Sequence, residues 1–61
     1  MWSYGDPHEP KVDDPRFESK QAAIDAAVEA SYVDGDPILA VWDDESGECT
    51  TLVFAGWVYS A

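Results

Sequence analysis

The chain has 61 residues, with 13 Asp or Glu against three Lys or Arg, and its formal net charge at pH 7 is −10. This balance argues against binding to nucleic acid or an anionic membrane through a basic patch, and a single cysteine, Cys49, excludes an internal disulfide. A domain this small has a thin core, and without disulfide or zinc staples it is typical of a cytosolic protein or of one that self-associates.

Residues 1–18 predict an irregular arm. Three prolines between residues 7 and 15 interrupt regular structure. Trp2 and Tyr4 are large aromatics that usually cover a surface, and they would lie either on a short strand or on a docked arm. The N-terminus lacks the basic start and apolar region of a signal peptide, and no apolar run approaches the roughly 20 residues of a membrane span. We therefore expect one small cytoplasmic domain over residues 1–61, with the folded part beginning at residue 19.

One α-helix is expected over about residues 19–34. Ser19 is a suitable N-cap, and the sequence "KQAAIDAAVEASYV" that follows it contains neither Gly nor Pro. Gly35 would end the helix in a left-handed conformation, and Pro37 would prevent it from resuming. Helical spacing predicts one narrow apolar stripe, formed by Ile24, Ala27, Val28, Ser31 and Tyr32.

The segments "PILAVWD" and "CTTLVFAGWVY" are β-branched and aromatic, and "DESGE" between them has turn chemistry. We predict an α+β fold in which the helix packs on an antiparallel sheet of two to three strands. Two strands are expected at about 37–43 and 48–55. Gly56 indicates a bulge or a bend, after which residues 56–60 would form the third strand.

The length of the loop between the two strands determines which of their residues share a face of the sheet. The assignment below holds for any loop with an even number of residues, whereas an odd loop or a bulge would exchange the faces of one strand relative to the other. The aliphatic face is expected to meet the helix. The opposite, aromatic face then needs a cover, which is the N-terminal arm, a second copy or a partner. The predicted helix-side residues are Leu39, Val41, Leu52, Phe54 and Val58. The predicted aromatic-face residues are Ile38, Ala40, Trp42, Cys49, Thr51, Val53, Ala55, Trp57 and Tyr59.

The turn sequence "DDESGE" invites a metal or catalytic interpretation, and its spacing disfavours both. Counted from Asp43, Gly47 is at the fifth position rather than the sixth that an EF-hand requires, and no glutamate follows at the twelfth. A turn tip does not desolvate a carboxylate as acid–base catalysis requires. His8 lies in a proline-flanked segment, and Cys49 is typical of a structural thiol. We expect no metal, no cofactor and no enzymatic activity.

From Gln21 to Ala61 the chain has eight acids and no base. Asp25 and Glu29 are four residues apart on the predicted helix, where like charges repel, and Glu48 is expected to face another acid across the hairpin. Three explanations compete. The acids imitate DNA phosphates, they keep the surface hydrated in molar salt, or they belong to an acidic interaction module such as a homodimer that closes its aromatic faces together.

"DDESGE" and the base-free stretch from Gln21 give the chain a charge layout that resembles small phage and mobile-element anti-defence proteins of the DNA-mimic type, such as anti-CRISPR and anti-restriction proteins. The resemblance is to a class and includes no family-specific motif. It implies a stoichiometric, non-enzymatic inhibitor that occupies the DNA-binding surface of a host CRISPR–Cas or restriction complex, as a monomer or homodimer, without binding nucleic acid itself. The alternative is an acidic interaction module or homodimer adapted to high salt.

Eleven residues are candidates for partner binding under this hypothesis. The carboxylates would contact a basic groove, and the aromatics would serve as buried anchors. Because a turn tip usually makes few core contacts, joint reversal of Asp43, Asp44 and Glu45 to Lys is expected to leave the fold intact. The candidates are Asp25, Glu29, Asp34, Asp36, Asp43, Asp44, Glu45 and Glu48, with Trp42, Trp57 and Tyr59 as anchors.

Overall fold

An eleven-residue helix packs on one face of a five-stranded antiparallel sheet. The structure is a computed structural model that describes residues 1–7, 15–32 and 38–60. The strands follow one another across the sheet in the order β2-β1-β3-β4-β5. The elements in chain order are β1 Trp2–Gly5, β2 Arg16–Phe17, α1 Lys20–Ala30, β3 Ile38–Asp43, β4 Cys49–Phe54 and β5 Trp57–Ser60.

The α+β class is confirmed, but the expected sheet of two to three strands is wrong. The additional strands come from the segment predicted to be an irregular arm, because β1 pairs with the outer edge of β3 and β2 pairs with β1. A four-residue strand fits before Pro7, so the prolines limit the length of regular structure without preventing it. The pairing joins Tyr4 to Val41, a partner far away in the chain that local sequence patterns do not reveal.

The helix begins as expected and ends earlier than residue 34. The Ser19 hydroxyl accepts a hydrogen bond from the Ala22 amide at 3.1 Å and caps the first turn. At the other end, the buried Ser31 hydroxyl donates to the Val28 carbonyl at 2.6 Å and accepts from the Gly56 amide at 2.8 Å. Ser31 therefore holds the C-terminal end of the helix against the residues that join β4 to β5. The expected stop signals, Gly35 and Pro37, lie outside the described residues.

The core between helix and sheet is small. Ala23 and Ala27 of α1 lie fully buried against Val41 of β3 and Val53 of β4. Because alanine has only a methyl side chain, the helix backbone approaches the sheet closely, and little apolar volume is buried per residue. Partly buried residues pack around this centre: Trp2, Tyr4, Phe17, Ile24, Val28 and Leu39.

A β-bulge in β4 corrects the predicted face assignment. Val41 pairs with Thr51 whereas Trp42 pairs with Cys49, so Thr50 is the extra residue. The bulge turns Val53 towards the helix. By the same shift Leu52 and Phe54, expected on the helix side, lie on the opposite face of the sheet, and Thr51 lies on the helix side.

β4 and β5 are joined by a two-residue turn, Ala55 and Gly56, flanked by the pair Phe54 and Trp57. Both turn residues are left-handed, with φ of 49° and 84°, as in a type I′ hairpin turn. An added Cβ at Gly56 would overlap the ring of Tyr32, which lies directly over this turn. Within the described ranges, no helix is both long and apolar enough to cross a bilayer.

Candidate protein-binding surface

The acidic turn between β3 and β4 is held by its own hydrogen bonds. The Asp43 carboxylate accepts from the Glu45 amide at 2.9 Å, and the Asp43 carbonyl accepts from the Gly47 amide at 2.7 Å. The Ser46 hydroxyl accepts from the Glu48 amide at 3.2 Å. Gly47 has a φ of 74°, where a side chain would be strained. The turn therefore presents its remaining carboxylates from a defined backbone.

Asp44 is a structural residue of this turn. Its carboxylate accepts a hydrogen bond from the Ser3 hydroxyl at 2.6 Å and forms an ion pair with the Arg16 guanidinium at 3.1 Å. Its amide donates to the Met1 carbonyl at 2.9 Å. The Asp44 side chain is only 19% exposed. It ties the turn to β1 and β2, so the expectation that the whole turn tip makes few contacts with the fold does not hold for this residue.

Two acids of the turn and two acids of the helix face solvent. Glu45 and Glu48 extend from the turn, and Asp25 and Glu29 lie on the helix surface away from the buried alanines. The Asp25 carboxylate accepts a hydrogen bond at 2.9 Å from the side-chain amide of Gln21, one helical turn earlier. None of these four carboxylates forms an ion pair within the described residues. Asp34 and Asp36 lie outside the described residues.

The face of the sheet opposite the helix, here called the open face, exposes large apolar side chains. Trp57 is 70% exposed, and Ile38 and Tyr59 are about half exposed. The register places Ile38, Phe54 and Trp57 in one cross-strand row and brings Leu52 beside Tyr59 in the next. Contiguous exposed aromatics of this kind are typical of protein-interaction sites. The open face consists of Ile38, Trp42, Leu52, Phe54, Trp57 and Tyr59.

A mainly apolar hollow of about 250 Å³ lies where the open face meets the acidic turn. Cys49 is exposed there, and its thiol contacts the Thr51 carbonyl at 3.6 Å. In the chain, Glu48 stands between two of the lining residues, Gly47 and Cys49. The lining residues are Pro7, Ala40, Trp42, Gly47 and Cys49.

The structure divides the predicted partner-binding residues between two surfaces. Glu45 and Glu48 extend from the turn that borders the open face, which carries Trp42. Asp25 and Glu29 lie on the outer side of α1, which packs on the other face of the sheet. In the described residues, the acids after Gln21 therefore do not form one continuous surface.

Sequence reasoning missed three components of the site. The Arg16–Asp44 pair spans 28 residues and has no local signal. Leu52 and Phe54 were placed on the wrong face because their apolar character favours the helix side, and only the bulge moves them to the open face. The hollow depends on Pro7, which only the β1–β3 pairing brings near Trp42.

No group of three or more His, Cys, Asp or Glu side chains among the described residues is arranged to hold a metal ion. His8 lies outside those residues. Neither a protein-family model, nor a curated protein, nor a solved structure matches the chain. The functional argument therefore rests on the surface itself.

Proposed function

We propose that this protein is a non-enzymatic acidic inhibitor that binds a basic nucleic-acid-binding surface of another protein and thereby keeps DNA from it. The observation that carries the proposal is the exposure of Glu45 and Glu48 on a turn whose Gly47 lines an apolar hollow together with Trp42. A DNA-binding protein presents Lys and Arg side chains, which combine an apolar stem with a charged head. The hollow and the turn offer a complementary surface to both parts.

In the proposed contact, the stem of a partner's Lys or Arg lies in the hollow and its cationic head meets Glu45 or Glu48. The Trp42 ring adds a cation–π contact, worth about 0.5–1 kcal/mol at exposed sites. Each exposed ion pair contributes only about 0.2–1 kcal/mol. Charge therefore directs the approach to the partner, while Trp57 and Tyr59 on the open face supply apolar burial that carboxylates lack.

The dimensions of the protein are compatible with occupation of a DNA groove. Its described residues extend 29 × 21 × 18 Å. Duplex DNA 29 Å long carries about 17 phosphate charges at one per ~1.7 Å, about half of them on one face, and residues 21–61 of the chain contain eight acids. The proposed partner is a CRISPR–Cas or restriction component or a similar basic complex, and the proposed location is the bacterial or archaeal cytoplasm in which such complexes work.

The proposal is tested by capture and competition. The immobilised protein is exposed to bacterial lysate at low salt, and a captured DNA-binding protein is then challenged with excess duplex DNA. We expect the DNA to displace the captured protein, and the complex to weaken steeply as NaCl rises because the opposing charges are exposed. A captured protein that stays bound in the presence of saturating DNA would show that its nucleic-acid surface is not the target.

Two matched variants locate the contact. Glu45→Lys with Glu48→Lys reverses two charges at the hollow, and Asp25→Lys with Glu29→Lys reverses two charges on the helix. Both double variants change the net charge by the same amount, so non-specific attraction to a basic partner falls equally in both. We expect the turn variant to bind about tenfold more weakly than the helix variant, which corresponds to about 1.4 kcal/mol. Equal losses in both variants would refute a site at the turn.

The exposed carboxylates without ion pairs also favour a second candidate, an acidic interaction module whose charge is an adaptation to high salt. A salt-adapted protein would lose its circular dichroism signal in dilute buffer and regain it in molar NaCl. The proposed inhibitor keeps its fold in both conditions.

A further inference from the structure

Among residues 1–7, 15–32 and 38–60, no strand pairs with the outer edge of β5. β5 is the last strand of the sheet, and all four of its residues are exposed. Proteins usually protect such edges with charged residues, proline, bulges or very short strands. The opposite edge, β2, follows that rule, because it has only two residues, begins with Arg16 and follows Pro15. In contrast, the chain has no charged residue and no proline from Cys49 to its end.

We propose that β5 pairs antiparallel with β5 of a second copy of this chain, around a two-fold axis at Tyr59, to form a ten-stranded sheet. Both helices then lie on one side of that sheet. The open faces of the two copies join on the other side, which brings Trp57 and Tyr59 of each copy together. This association does not depend on the proposed inhibitory partner.

Hydrogen-bond alternation determines the register. Phe54 and Trp57 flank a two-residue turn and therefore form a hydrogen-bonded pair. The next pair along, which contains Val58, is non-hydrogen-bonded, so the amide and carbonyl of Val58 point outwards. The same alternation turns the amide and carbonyl of Ser60 outwards.

A two-fold axis at Tyr59 places Val58 of each copy opposite Ser60 of the other. In each of these two pairs, the amide of either residue donates to the carbonyl of the other, which gives two hydrogen bonds. The two pairs together give four hydrogen bonds between the copies. An axis at Val58 would instead bring Ser60 against the tight turn at Gly56 and leave only two such bonds. The Tyr59 axis also places the two tyrosine rings side by side on the open face, in the closely spaced type of cross-strand pair.

Charge placement is compatible with a second copy even though each copy is strongly acidic. The β4–β5 hairpin contains no charged residue, and Glu48, the nearest acid in the chain, precedes β4 at the end of the sheet opposite the β4–β5 turn. The hairpin therefore brings no carboxylate side chain to the two-fold axis, and screening in ordinary salt weakens the repulsion between more distant acids.

The thin core also favours self-association. In the part of the chain that the structure describes, the fully buried apolar residues are three alanines and two valines, Ala23, Ala27, Ala40, Val41 and Val53. Domains of this size usually need a disulfide, a metal or oligomerisation in addition to their core, and the only cysteine cannot form an internal disulfide. Pairing of the two β5 edges buries apolar area from Trp57, Val58 and Tyr59 of both copies.

Sedimentation velocity of the isolated full chain, from roughly 1 µM to 1 mM, tests the association. We expect the mass to rise from the 6.7 kDa of the monomer to twice that value. Ser60→Pro removes an outward amide and should weaken the dimer at least tenfold, whereas Ser60→Ala keeps that amide and should not. Tyr59→Glu places two carboxylates at the axis and should abolish the dimer, whereas Tyr59→Phe should preserve it. Circular dichroism verifies that each variant is folded.

Cysteine crosslinking tests the register. In a Cys49→Ser background, Tyr59→Cys places two thiols across a close antiparallel pair, within reach of a disulfide. Trp57→Cys is the matched control, because its two thiols would be separated by about four residues, or ~13 Å, along the strand direction. We expect rapid oxidation to a dimer only for Tyr59→Cys. A chain that is monomeric throughout the range, a dimer insensitive to folded Ser60→Pro and Tyr59→Glu variants, or equal crosslinking of both cysteine variants would overturn the inference.

Discussion

Replacement of Asp44 by alanine separates structural from functional carboxylates in the acidic turn. In the structure, the Asp44 carboxylate accepts a 2.6 Å hydrogen bond from the Ser3 hydroxyl. Ser3 lies in β1 and is only 1% exposed. Asp44 also pairs with Arg16 at 3.1 Å. Asp44→Ala would remove both contacts and leave the Ser3 hydroxyl buried without a partner. Glu45→Ala, one residue further along, removes an exposed carboxylate and is the matched control.

The loss of stability expected for Asp44→Ala follows from how exposed each of the two lost contacts is. A hydrogen bond to a charged group contributes about 1.5–3 kcal/mol. The Arg16 pair, whose cation is 47% exposed, adds about 0–1 kcal/mol after solvent screening. We therefore expect Asp44→Ala to lower the free energy of unfolding by about 1.5–4 kcal/mol, whereas Glu45→Ala changes it by less than about 0.5 kcal/mol. For a chain of 61 residues, total stability is about 3–9 kcal/mol, so the first loss is a large fraction of the whole.

Urea unfolding followed by tryptophan fluorescence measures both variants. A double-mutant cycle with Ser3→Ala isolates the buried hydrogen bond, and we expect a coupling energy of about 1–2 kcal/mol between Ser3 and Asp44. If Asp44→Ala unfolds at the same urea concentration as Glu45→Ala, or if the cycle gives no coupling, then Asp44 does not tie the turn to β1. The same result decides whether a variant that includes Asp44→Lys can serve as a test of partner binding.

Two further predictions concern the turn between β4 and β5. Gly56→Ala should cost about 1–2 kcal/mol, because φ is 84° and the new methyl group displaces the Tyr32 ring. When Tyr32 is also replaced by alanine, denaturant unfolding should still show that Gly56→Ala costs about 1 kcal/mol, because the backbone conformation alone disfavours alanine. If Gly56→Ala then costs nothing, the backbone contribution is refuted. Ala55→Asn should raise the free energy of unfolding by about 0.5–1 kcal/mol, because asparagine tolerates the left-handed conformation that Ala55 adopts at φ 49°. A lower melting temperature for Ala55→Asn would contradict the type I′ assignment.

The division of the acids into two surfaces changes how the protein can meet a partner. A contact at the turn involves Glu45, Glu48 and the open face, and it leaves Asp25 and Glu29 on the far side of the sheet in contact with solvent. In the proposed dimer the two acidic turns lie at distant ends of one joined open face. Each dimer would then offer two equivalent basic-partner sites.

Short-range patterns predicted the elements whose formation depends on near neighbours. Ser19 caps the helix because its hydroxyl reaches an amide only three residues away. The strands at Ile38–Asp43, Cys49–Phe54 and Trp57–Ser60 lie within one residue of the segments where β-branched and aromatic residues favoured them. The placement of Trp42, Trp57 and Tyr59 on the same face of the sheet likewise followed from alternation within single strands.

The tertiary structure decided whatever depends on a distant partner. β1 joins the sheet because the free edge of β3 satisfies its backbone groups, and β2 then pairs with β1. The aromatic residues Trp2 and Tyr4 by themselves allowed either a short strand or a docked arm. The end of the helix is joined to the β4–β5 turn because the Ser31 hydroxyl accepts a hydrogen bond from Gly56, 25 residues further along the chain. The bulge at Thr50 moves Val53 into the core and Phe54 onto the open face, since a shift of one residue exchanges the two faces of a strand.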